Sequence, residues 1–98
     1  MKFELIFTED ADEQMNELEQ SKDKKAPRKA VHKILGYMET NLRHPSLKTH
    51  EYDEMSGPNG EKIFESYAQN KTPGAYRIFW HYGPEKKQIT ILEICAHP

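Results

Sequence analysis

An α+β fold is predicted for this chain: an N-terminal strand, two helices, then a three-stranded antiparallel meander, with the helices packed on one face of the sheet. Three observations lead there. Between Ala30 and Leu42 the apolar residues recur at i, i+3, i+4 and i+7, the spacing of a helix face laid on a core. In the last third, Tyr76 to Tyr82 and Gln88 to His97 show the period-two side-chain pattern of strands. The runs are separated by turn chemistry: Gly57-Pro58-Asn59-Gly60, Asn70-Lys71-Thr72-Pro73-Gly74 and Gly83-Pro84-Glu85-Lys86-Lys87.

Phe3-Glu4-Leu5-Ile6-Phe7 reads as a short strand. Thr8 follows as a helix N-cap, with Glu9 and Asp10 complementing the positive end of the helix dipole in the first turn. Ala11, Met15 and Leu18 form a narrow apolar stripe that stops near Ser21. The stretch Ser21 to Ala26 is polar loop, and Pro27 fits the first turn of a second helix. That helix carries Ala30, Val31, Ile34, Leu35, Met38 and Leu42, and His44-Pro45 ends it because the residue before proline avoids the α region. A connector runs to Gly60. Strands then follow over Lys62 to Gln69, Ala75 to Tyr82 and Gln88 to His97. Alternation puts Tyr76, Ile78, Trp80 and Tyr82 on one side with Thr90, Leu92 and Ile94, the side assigned to the helices. Arg77, Phe79 and His81 share the other, partly open side with Ile91, Glu93, Cys95 and His97, and with Ile63, Glu65 and Tyr67 of the preceding strand.

At 98 residues, the chain is long enough for one domain, spanning 1–98, and too short for two. A single cysteine, Cys95, rules out an internal disulfide framework. No long apolar run or leader marks a membrane, so a cytoplasmic location is expected. The formal net charge is −2, with acids in Glu9 to Asp23 and Glu51 to Glu54 and bases gathered between Lys22 and Lys48. His44, His50, His81, Cys95 and His97 lack the paired spacing of a zinc motif, so neither metal nor other cofactor is expected.

Arg77 and His97 make the chemically sharpest pair. Metal-free RNA cleavage must deprotonate a 2′-hydroxyl, neutralise the phosphorane and protonate the leaving 5′-oxygen. A guanidinium matches phosphate oxygens bidentately and stays charged, while an imidazole titrates near neutrality. The alternative for Arg77 is an ion pair with Glu65 or Glu93 on its own sheet face, and for His97 an end exposed to solvent. Lys48 and His50 are candidates to hold flanking phosphates, His81 to orient substrate, and Phe79 and Tyr67 to stack bases.

The order of elements, with Asn41-Leu42-Arg43-His44-Pro45-Ser46-Leu47-Lys48 before the meander, Gly74-Ala75-Tyr76-Arg77-Ile78-Phe79-Trp80 within it and Ile89 to His97 at its end, resembles the RelE/ParE superfamily of bacterial toxin-antitoxin toxins, in particular its RelE branch. The resemblance covers nearly the whole chain. It implies a cytoplasmic toxin, an mRNA interferase that cuts messenger RNA on the ribosome and is held inactive by an antitoxin laid over apolar surface around Ile63, Phe79 and Ile91. In that pattern Arg77 matches the arginine at the scissile phosphate, Lys48 a basic loop residue, and His97 the acid/base or basic residue after the last strand. The acidic balance favours the alternative, a non-catalytic binding module on the same fold, either gyrase-directed in the ParE manner or a degenerate antitoxin-binding member.

Overall fold

A computed structural model describes residues 2–96. The chain runs β1 (Glu4–Phe7), α1 (Glu9–Gln20), α2 (Lys25–Thr40), a 3₁₀ turn (Pro45–Leu47), β2 (His50–Ser56), β3 (Lys62–Tyr67), β4 (Tyr76–Tyr82) and β5 (Gln88–Ala96). The strands form one sheet in the order β1-β5-β4-β3-β2. The class is α+β, as the sequence predicts.

The sheet is larger than a three-stranded meander. β3, β4 and β5 are antiparallel as expected, but the connector holds β2, which pairs with β3 through His50↔Glu65 and Glu51↔Phe64 and is irregular between Glu51 and Ser56. β1 adds at the other edge, parallel to β5, with Leu5 opposite Ile89 and Phe7 opposite Ile91. β2 escapes pattern reading because His50-Glu51-Tyr52-Asp53-Glu54-Met55-Ser56 has no apolar alternation; only Tyr52 is partly buried. It is held by backbone pairing at a sheet edge, which leaves no hydropathy signature.

The Thr8 side chain accepts a hydrogen bond from the Ala11 amide at 3.1 Å, which caps α1, and its hydroxyl donates to the Leu92 carbonyl at 3.0 Å, which ties that cap to β5. α2 ends at Thr40, earlier than His44-Pro45 alone would require, and Leu42 packs on the core from the loop beyond it. Ala11 and Leu18 of α1, Val31, Ile34 and Met38 of α2, and Leu47 of the 3₁₀ turn lie against Ile78, Trp80, Ile89, Ile91 and Ile94. Both helices therefore cover one sheet face.

One departure relocates side chains. Phe79 pairs with Glu93 but Trp80 pairs with Ile91, so Leu92 is an extra residue in β5, a β-bulge. A bulge reverses the parity of every residue beyond it. Ile89 and Ile91 before it, and Ile94 after it, consequently all enter the core. The expected grouping of Ile91 with the open face is corrected, and Ile63, Phe79 and Ile91 are all buried, so these three side chains do not themselves present apolar surface to a partner.

Candidate functional site

The sheet face away from the helices carries a relay of polar side chains centred on buried Glu65. Glu65 of β3 is almost wholly enclosed, and its carboxylate bridges two groups: Oε2 lies 2.5 Å from Arg77 Nη1 on β4, and Oε1 lies 2.7 Å from His50 Nε2 on β2. Register makes this possible, because His50 stands opposite Glu65 and Arg77 opposite Tyr67, the next residue on the same face of β3. The Arg77 guanidinium sits 4.9 Å from the Phe79 ring centroid, a cation–π distance, and Tyr52 lies edge-on to Phe79 at 4.8 Å. Arg77 is thus fixed by a carboxylate on one side and an aromatic face on the other.

Its remaining donors matter for chemistry. The Nε of Arg77 is buried and makes no hydrogen bond among the described residues, an unusual state for an enclosed N–H group. The Arg77 side chain also lines a cleft of about 280 Å³, together with Tyr67 and the β3–β4 loop residues Asn70 to Ala75. The His50 ring lies 5.7 Å from the Tyr67 ring, and its Nδ1 is 3.4 Å from the Lys48 carbonyl. Cys95 is Arg77's cross-strand partner; burial, and then the nearby Glu93 charge, push its thiol up, with Arg77 acting in the opposite direction. The Tyr52 hydroxyl is also held above its ordinary value, first by a hydrogen bond with Glu54 and then by burial.

Of the residues singled out from sequence, Arg77, His50 and Tyr67 come together here. Phe79 is close but buried under the guanidinium, so its stacking partners are Arg77 and Tyr52 and it offers no platform to a base. His81 is also buried, with Nδ1 2.7 Å from the Tyr82 carbonyl; four positions along β4 from Arg77, about 13 Å at strand rise, it stands apart from the relay and is not exposed to orient a substrate. Lys48, in a left-handed conformation at φ 48°, caps the 3₁₀ turn and is exposed. His97 lies outside the described residues. Glu65 was visible in sequence as a possible partner of Arg77, but its bridge to His50 depends on β2, whose existence the sequence conceals. The described residues contain no cluster of three or more potential metal ligands, and no helix among them is long and apolar enough to cross a membrane.

No family model and no curated protein sequence matches the chain. Solved structures do. The YoeB/ParE toxin from Agrobacterium tumefaciens superposes with a TM-score of 0.69 at 6% identity, over 98% of this chain and 100% of that one. RelE in the archaeal RelE-RelB complex from Pyrococcus horikoshii gives 0.64 at 12% identity, over 98% and 96%. The YoeB dimer from Staphylococcus aureus gives 0.63 at 14%, over 100% and 99%. At such identities the likeness is one of architecture, and it is end to end: the chain has the fold of the RelE/ParE toxins.

Proposed function

We propose that this chain is the toxin of a toxin-antitoxin pair and an mRNA interferase, cutting messenger RNA on the ribosome without a metal, in the cytoplasm, as one domain, until a cognate antitoxin covers it. The observation that carries this reading is Arg77, its guanidinium held by the Glu65 carboxylate while its side chain lines an open cleft. A phosphate oxygen entering from the Tyr67 side meets a guanidinium already oriented, so little reorganisation is left to the reaction itself. Arg77 neutralises the phosphorane. His97 takes the proton-transfer role that the RelE resemblance gives it, and His50, whose imidazole is oriented by Glu65, stands on the opposite flank of Arg77's carboxylate to position the substrate, with Lys48 next to it on the loop. The RelE-RelB complex among the structural neighbours supports an antitoxin as the partner.

Induced expression, with cut sites mapped by primer extension on ribosome-bound transcripts, tests this. Arg77→Lys keeps the charge and loses the fork geometry; cutting is expected to fall by roughly a hundredfold or more, the usual consequence of losing an aimed donor to developing charge. His97→Ala should do likewise. Unimpaired cutting by both variants defeats the nuclease reading.

A specific observation favours a second reading. Glu65 already compensates the Arg77 charge, and the chain as a whole is net negative at −2, both unfavourable for gripping a polyanion. A non-catalytic module, gyrase-directed or serving only to bind an antitoxin, accounts for this. It is distinguished by an absence of cuts together with co-purification of the small protein encoded by the adjacent gene.

A further inference from the structure

Beyond the end of α2 two clefts adjoin, of about 410 and 370 Å³, and share Leu42 and Arg43. Phe3 and Tyr82 wall one end, and Lys48 and Thr49 close the other. Neither is lined by an aspartate or glutamate, in a chain whose acids outnumber its bases by 16 to 14. Tyr82 is half exposed, and its ring stands 6.3 Å from Phe3 at a 56° tilt. The loop that bears the cations is set in advance: His44 stacks on Tyr37 at 3.7 Å and 11°, and its Nδ1 accepts from the Ser46 amide. Aromatic surface at one end and guanidinium and ammonium groups along the rest is the composition of a channel for single-stranded nucleic acid, in which rings stack bases and cations follow the phosphates.

We infer that the Tyr82–Arg43–Lys48 groove binds single-stranded RNA, a base stacking on Tyr82 while Arg43 and Lys48 contact successive phosphates. Lys48 is two residues from His50, whose imidazole meets Glu65, so one end of this groove lies on the loop that enters β2. The inference thus rests on the RNA reading of the function and names where substrate outside the cleavage point is held.

The test uses a fluorescein-labelled decauridylate at low salt, with anisotropy as readout. Trp80, the one tryptophan, serves as a second reporter because its ring centroid is 5.1 Å from Tyr82. Tyr82→Ala is expected to weaken binding about 5- to 160-fold, the range for losing one stacked base, and Tyr82→Phe to retain it. Arg43→Glu, at an exposed loop position that cannot disturb the core, should weaken binding and lower the salt slope by about 0.7 or more. Lys25→Ala on α2 should change neither. RNA binding with these dependences in a protein that makes no cuts upholds the groove and removes the nuclease. Cutting at full rate by Tyr82→Ala and Arg43→Glu, or oligonucleotide binding indifferent to both, overturns the groove and leaves the nuclease standing. Equal or tighter binding of a labelled decaglutamate also overturns it, assigning the surface to an acidic protein segment instead.

Discussion

Separating Glu65 from Arg77 should cost this protein much of its stability, and removing both should cost little. The two side chains are 3% and 14% exposed and lie 2.5 Å apart. Arg77→Met leaves the Glu65 carboxylate enclosed with only His50 as partner, and Glu65→Leu leaves a guanidinium over Phe79 with no counter-charge. Breaking one side of a buried pair typically costs about 3–5 kcal/mol, whereas replacing both sides with apolar groups of similar volume is often near neutral. Against a total of about 5–15 kcal/mol for a domain, either single variant approaches unfolding. With a urea slope of about 1.5 kcal/mol/M, each midpoint should fall by roughly 2–3 M. The double variant should return to within about 1–2 kcal/mol of the parent, because Phe79 and Tyr52 already supply apolar surroundings. Equilibrium urea titration followed by Trp80 fluorescence measures all four corners of the cycle. Single variants costing under about 1 kcal/mol, or a double variant whose loss equals the sum of the singles, would refute the view that this charge pair is buried and mutually dependent.

Three further expectations follow from the packing. Ser66→Ala strands the indole N–H of buried Trp80, which donates to Ser66 Oγ at 2.9 Å; a loss of about 1–3 kcal/mol in the same titration is expected, and no change would show the indole finding another acceptor. Deleting Leu92 removes the bulge yet keeps Ile91 and Ile94 facing the helices, so that variant should fold, whereas deleting Thr90 turns one of the buried isoleucines outward and should not; proton NMR dispersion separates the two outcomes. The Cys95 thiol, raised first by burial and then by Glu93, should react with iodoacetamide along a pH–rate profile displaced upward from free cysteine, since the thiolate is the nucleophile. Glu93→Gln should move that profile down; the raised folded value also means that this group's stabilisation is present below the thiol's unfolded value and fades as pH climbs through the folded one.

Local chemistry made much of the architecture legible. Thr8 with Glu9 and Asp10 announces the start of α1, the Val31–Ile34–Met38 spacing announces the buried face of α2, and Pro73-Gly74 announces the reversal between β3 and β4, because capping, periodicity and turn preference act within a few residues of one another. Placing Arg77 on the face opposite Ile78 and Trp80 needed no more than strand alternation, and its pairing with Glu65 was one of the alternatives visible from that.

Other features have no local cause. β2 is stabilised by hydrogen bonds to a strand already in place, so its polar residues carry no mark of it, and with β2 unseen His50 could not be set against Glu65 nor Tyr52 against Phe79. The bulge at Leu92 is settled by how β5 fits β4 and the Thr8 hydroxyl together, and it moves Ile91 from the open face into the core against strict alternation. Burial of Phe79 and His81 on the face without helices comes from the same long-range closure. Short-range preferences select elements; pairing between segments distant in the chain sets their edges and register, and with them the relay at Glu65.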